Sequence, residues 1–209
     1  MTTTPAQAWA EMLAGNARFV AGDPLHPRQD VEHREELAGG QAPHAVLFGC
    51  SDSRLAAEII FDRGLGDLFV IRNAGQVVSD SVIGSIEYAV GILEVPLLVV
   101  LGHDTCGAVR AALDSTAPDA PALPVHIRNL VEKILPAVQR VALRNPGVPV
   151  HENDAAEAGR EHLRDTIQEL LEASPMISEA VADGRLAVVG ANYRLAAGRV
   201  EPDMIVGLV

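Results

Sequence analysis

Aromatic residues are scarce in this sequence, at 3% of 209 residues, which leaves little material for base-stacking platforms. Cationic side chains are also in the minority. Sixteen Lys and Arg against 28 Asp and Glu give a formal net charge of −12. A general nucleic-acid binder needs a cationic surface to displace counterions, so that class is excluded. A single arginine can still govern one anion-binding pocket. There are only two cysteines, Cys50 and Cys106, too few for the disulfide scaffold of a small secreted domain. Three readings of them stay open: buried thiols, a redox pair lacking the C-x-x-C spacing, or metal ligands. Long apolar runs are missing as well. Segments such as Pro96–Leu101 fall far short of the roughly 20 residues that cross a bilayer. The opening "MTTTPAQAWAEM" does not place a basic segment before an apolar one, as a secretory signal would. The expectation is a cytoplasmic protein with no membrane and no nucleic-acid partner.

What is present reads as one globular domain. Hydrophobic residues are 48% and charged residues 21%, and the length suits a single substantial core. Thr4-Pro5 supplies a capping hydroxyl and a first-turn proline for a helix to about Val20. Trp9 on its apolar stripe serves either this core or a second subunit. A short helix is expected over Val31–Ala38. Three apolar runs, Ala45–Phe48, Leu68–Ile71 and Leu97–Leu101, suit parallel strands buried on both faces. Helical patterns lie between them at about Ala56–Asp62 and Val82–Leu93, which predicts an α/β fold. Further helices are expected at Ala108–Asp114, Ile127–Leu143 with a kink near Pro136, and Asp154–Ala173. "STAPDAPALP" reads as a loop. Leu186–Val189 is expected as a fourth core strand, with Ala191–Arg194 and Val200–Val206 as an edge extension. The predicted fold is therefore a largely parallel sheet of about four core strands with an edge extension, flanked by helices. Residues 1–40 form a helical arm and 41–209 the core.

The chemistry concentrates at two strand ends. "FGCSDSR" follows the first strand and "GHDTCG" follows the third. Ligand sites in open α/β sheets lie beyond the carboxyl ends of the strands. Cys50 and Asp52, two residues apart, project to one side of an extended segment. His103 and Cys106, three apart, can face one centre from a turn. Two thiolates and an imidazole, with a water in the fourth place, suit tetrahedral zinc. The competing reading is two buried thiols with a capping histidine.

The motifs "CSDSR" and "GHDTCG", with "GQAPHAVLFGCSDSR", "GDLFVIRNAG", "GSIEYAV" and "VPLLVVLGHDTCGAV", resemble the β-class carbonic anhydrases. They cover Gly40–Val109 almost continuously. The resemblance implies a zinc enzyme that hydrates carbon dioxide to bicarbonate and a proton. It implies zinc on Cys50, His103 and Cys106, beside an Asp52–Arg54 pair. It further implies a substrate pocket drawn from Gln41, Phe69, Tyr88 and the Gly107 amide, with the tyrosine supplied by a partner subunit. A homodimer or dimer of dimers follows, with the N-terminal helix wrapped around the neighbour. Ala74 stands where the family often has valine. In a closed, inactive state of this family Asp52 would itself ligate zinc. A regulatory bicarbonate site in some members needs a tryptophan, an arginine and a tyrosine. Arg72 and Tyr193 match, but Leu47 replaces the tryptophan, so weak or absent bicarbonate regulation is expected. From the residues alone, Gln41 reads as a helix cap and Phe69 and Tyr88 as core. Two alternatives share the site: hydrolysis of carbon disulfide or carbonyl sulfide, and a non-catalytic zinc or bicarbonate sensor.

Overall fold

A computed structural model describes residues 3–209. Its centre is one five-stranded sheet in the order β2-β1-β3-β4-β5. The strands are β1 (Ala45–Cys50), β2 (Leu68–Asn73), β3 (Leu97–His103), β4 (Ala187–Arg194) and β5 (Arg199–Val206). The first four are parallel and β5 runs antiparallel along β4. Every residue of β1 and β3 is buried. That is why these strands read as unbroken apolar runs rather than alternating ones.

Helices cover both faces. One layer of core joins Leu47, Val99 and Val189 to residues of α1 (Pro5–Ala21), α5 (Gly107–Asp114) and α6 (Val125–Arg144). The other joins Val46, Phe48, Leu98 and Val188 to α4 (Asp80–Gly91), α7 (Ala155–Ala173) and α8 (Pro175–Ala182). The short helices α2 (Val31–Glu36) and α3 (Ala57–Ile60) complete the set.

Helix α1 starts as its sequence dictates. Thr4 and Gln7 form a reciprocal capping box, Pro5 opens the first turn, and Gly22 ends the helix in a left-handed cap. Trp9 is 6% exposed within its own chain, so it fills this core rather than waiting for another. Asn16 fastens the helix. Its Nδ2 donates to the carbonyls of Ile60 (3.1 Å) and Gly198 (2.8 Å), and its Oδ1 accepts the Val200 amide at 2.9 Å.

Three expectations need correction. The strands expected at Leu186–Val189 and Ala191–Arg194 are one strand, β4, which begins at Ala187, and the irregularity between Gly190 and Ala191 is a shift in pairing with β5, not a break. Helix α8 was not anticipated, although Ser174 caps it and Pro175 opens it. The expected second helix tightens into a 3₁₀ turn at Leu37–Gly39. The helix expected over Ile127–Leu143 is found as α6, with Pro136 inside it. No helix among the described residues is long and apolar enough to cross a membrane.

Register places the chemistry. Gly49 of β1 pairs with Leu101 of β3, and Cys50 pairs with Asn73 of β2. His103 ends β3 opposite Tyr193 of β4. The carboxyl ends of β1, β2 and β3 therefore lie side by side, where a parallel sheet opens its crevice.

Candidate active site

At this edge Cys50, His103 and Cys106 converge. Their ligating atoms all lie within 4.8 Å of one another, and the two sulfurs are 4.0 Å apart. All three side chains are at most 5% exposed. Tetrahedral bonds of about 2.3 Å from zinc to sulfur would set two thiolates about 3.8 Å apart, close to the spacing found.

The imidazole is prepared for a metal. His103 Nδ1 lies 2.8 Å from the Asp104 carbonyl, so it carries the proton. Nε2 is buried with no partner in the protein, and a buried acceptor left unpaired is costly. A bound cation would use that lone pair, and the carbonyl bond fixes the tautomer that offers it.

The thiols behave as a pair sharing a proton. The Cys50 thiol is drawn down, first by the hydrogen bond with Cys106, while burial opposes it and His103 and the amides of Gly75 and Asp52 assist. The Cys106 thiol is pushed up, first by its bond to Cys50, then by burial and by the charge of the thiolate beside it. The Ala108 and Val109 amides counter this. Cys106 occupies the N-cap of α5, so those amides are the unpaired donors of the helix start. A divalent cation would replace the shared proton and hold both sulfurs as thiolates. The donor set fits zinc.

Asp52, two residues beyond Cys50, lies in the grip of Arg54. Arg54 Nε donates to Asp52 Oδ1 at 2.8 Å and Nη2 to Oδ2 at 2.6 Å, and the Arg54 amide adds a third bond to Oδ1 at 3.0 Å. This bidentate clasp is the main reason the Asp52 carboxyl stays well below the usual carboxylate range, and burial opposes it. Thr105 steadies the arginine from the other turn: its hydroxyl and carbonyl both lie 3.5 Å from the guanidinium. Thr105 takes a left-handed conformation, φ 52°, and such strain gathers where a turn serves a site.

Arg72, which the resemblance matched to a regulatory site, makes two bonds to backbone carbonyls. Its Nε donates to the Cys50 carbonyl at 2.9 Å and its Nη2 to the Asp52 carbonyl at 2.6 Å. These two bonds brace the Cys50–Asp52 segment. Tyr193 is 5% exposed and Leu47 is 2% exposed.

The proposed pocket residues divide. Gly107 opens α5 directly after Cys106. Gln41, Phe69 and Tyr88 lie elsewhere in this chain. Gln41 precedes β1, at the far end from Cys50, and lines a shallow cavity with Leu37 and Leu65. Phe69 pairs with Val46, four residues back along the strands from the Cys50 level. Its ring is 6.1 Å from that of Tyr88, which is 46% exposed. One chain assembles the metal centre and the Asp52–Arg54 pair but leaves this aromatic pair on another surface.

Sequence reasoning missed what surrounds Cys50. The Gly75 amide donates to its sulfur at 3.4 Å, and Asn73 staples the intervening loop through two bonds with Val77, at 2.7 and 2.9 Å. The "RNAG" run at the end of β2 is the signal that could have pointed there.

A buried Cys-His-Cys group that could hold a metal ion, at the carboxyl edge of a parallel sheet and close in sequence to an arginine-held aspartate, defines the class: an α/β protein with a candidate metal site. The family described as carbonic anhydrase matches residues 45–200. Carbonic anhydrase 2 of Mycobacterium tuberculosis is 50% identical over 201 residues, covering 94% of this chain and 92% of its own. The carbonic anhydrase of Mycolicibacterium smegmatis is 48% identical, covering 95% and 93%. Among solved structures, a tetrameric β-carbonic anhydrase of Sordaria macrospora superimposes with a TM-score of 0.71 at 26% identity, covering 93% of this chain and 95% of its own. A Coccomyxa β-carbonic anhydrase in complex with acetazolamide gives 0.68 at 26% identity, covering 94% and 82%. The chain belongs to the carbonic anhydrase family, in its β class.

Proposed function

We propose that the protein catalyses the reversible hydration of carbon dioxide to bicarbonate and a proton, with zinc held by Cys50, His103 and Cys106. The observation that carries this reading is the joint geometry of the unpartnered His103 Nε2, the two sulfurs 4.0 Å apart and the Asp52 carboxylate clasped by Arg54. Zinc in such a site is a Lewis acid that makes hydroxide available from water near neutral pH.

The chain's own groups do the rest. Asp52 is ionised, so it accepts hydrogen bonds and donates none. It would accept a hydrogen bond from the hydroxyl of the attacking oxygen, which would leave a lone pair of that oxygen turned toward carbon. Arg54 fixes both oxygens of Asp52, so the acceptor does not drift. In this reading the Gly107 amide, in the first turn of α5, receives the developing negative charge of bicarbonate, as helix N-termini favour anions. The clasp also supports a catalytic over a sensing role, because it keeps Asp52 on Arg54 and away from the place of a fourth ligand.

Gln41, Phe69 and Tyr88 enter the reading as contributions to a second copy's site. Tyr88 is half-exposed beside Phe69 and far along the sheet from this chain's Cys50, which supports a composite pocket in a homodimer or dimer of dimers. Two free thiols this close suit a reducing compartment, which supports a cytoplasmic place of action. With Arg72 engaged on two carbonyls and Leu47 buried in the core, the reading includes no strong inhibition by bicarbonate. Stopped-flow hydration with metal analysis tests the whole. One zinc per chain with hydration activity is expected.

A further inference from the structure

Gly75 stands directly behind the metal centre. Its amide donates to Cys50 Sγ at 3.4 Å, and its carbonyl accepts from His162 Nε2 at 2.7 Å. His162 sits on α7, 87 residues away in sequence and 3% exposed. One helical turn on, Thr166 Oγ1 donates to the His162 carbonyl at 2.9 Å and lies 3.4 Å from the Gln76 carbonyl. Helix α7 therefore grips the 75–76 turn, while Asn73 and Val77 close it from within.

The grip has a purpose that packing alone does not supply. Gly75 is at φ +79°, where glycine is free to swing. A side chain cannot anchor it, because a Cβ there would lie 2.8 Å from Ala108 Cβ. The direction of its amide is left to hydrogen bonds. A carbonyl only accepts, so His162 carries its hydrogen on Nε2, and its Nδ1 is buried without a partner. An N–H bond to a thiolate draws charge from the sulfur and changes what that sulfur gives to a metal.

We propose that His162 is a positioning residue of the metal centre: by holding the Gly75 carbonyl it keeps the Gly75 amide on Cys50 Sγ, and so tunes that ligand. The inference rests on the reading of Cys50 as a metal ligand.

The test compares the full-length protein with His162→Asn, too short to reach Gly75, and His162→Gln, which keeps a donor. In the cobalt-substituted protein, the sulfur-to-cobalt charge-transfer band is expected to move to lower energy in H162N and to stay in place in H162Q. Zinc affinity in H162N is expected to fall roughly 10- to 100-fold, and the pH–activity midpoint to rise. An unmoved band and affinity in folded H162N, or equal changes in both variants, would overturn the proposal. Should H162N not fold, nitrogen-15 NMR of the zinc-loaded wild type decides: a proton on His162 Nε2 supports it, and one on Nδ1 refutes it. Absence of any thiolate charge-transfer band in cobalt-loaded wild type would instead refute the ligand assignment itself.

Discussion

The Arg54 guanidinium spans both carboxylate oxygens of Asp52, at 2.8 and 2.6 Å, in a turn that the Arg54 amide closes at 3.0 Å. The pair sits partly in solvent: Arg54 is 51% exposed and Asp52 16%. Its worth is therefore in aim rather than in stability.

Replacing Arg54 by alanine releases Asp52 without touching a ligand. Misplacing a positioned group by about 1 Å costs on the order of 10²-fold in rate. A fall in kcat of that size is expected, with zinc content unchanged by metal analysis. A variant with wild-type kcat would remove the clasp from the mechanism.

Asp52 also makes a pH prediction. Its folded-state pKa is depressed, chiefly by the hydrogen bonds from Arg54. The stability it contributes is present above the unfolded carboxylate value of about 3.9 and is lost as pH falls through the folded value. Asp52 therefore stays ionised throughout the working range. Its protonation does not shape the activity profile there. Asp52→Asn should lower kcat by roughly 10²-fold or more without moving the midpoint of the profile to acid pH, as read from stopped-flow rates.

Much of this was legible in the chain. The apolar runs of β1 and β3 announced a parallel sheet because burial on both faces removes any polar alternation; β2, expected to be buried in the same way, is an edge strand and only partly buried. The glycine-flanked "GCSDSR" and "GHDTCG" announced the centre because they follow two strands that pair directly. Other parts were not legible. The bond from His162 to Gly75 joins elements 87 residues apart, and no local pattern encodes it. The engagement of Arg72 with backbone carbonyls depends on the β1–β2 register. Gln41, Phe69 and Tyr88 fall outside this chain's own centre, and spacing along the sequence cannot reveal which copy a side chain serves.

Gly75→Ala probes the turn behind Cys50. The added Cβ meets Ala108 Cβ at 2.8 Å and Ile134 Cδ1 at 3.1 Å, in a left-handed conformation. Overpacking of this kind costs about 1–3 kcal/mol. A lowered urea midpoint together with weaker zinc binding is expected, while an unchanged affinity would separate the turn from the centre.

The composite pocket has a mixing test. Cys106→Ala chains lack a ligand, and Tyr88→Ala chains lack the aromatic that they lend. In a mixed dimer one site regains both parts. An equimolar mixture is expected to recover roughly a quarter of wild-type activity if subunits exchange at random. Activity no greater than the average of the two parents would contradict a shared site.

Removing zinc should also lower stability, since metal that binds only the folded chain stabilises it by mass action. With free zinc near a thousand times its dissociation constant the difference is about 4 kcal/mol. Calorimetry with and without chelator should show a melting temperature roughly ten degrees lower in the apoprotein.

Two thiolates give a metal more charge than imidazoles do, so activity should rise toward alkaline pH. Stopped-flow carbon dioxide hydration from about pH 6 to 9, with metal analysis on the same samples, tests the central claim most directly. One zinc per chain and a rate climbing on the alkaline side are predicted. Stoichiometric zinc with no hydration at any pH would contradict the account.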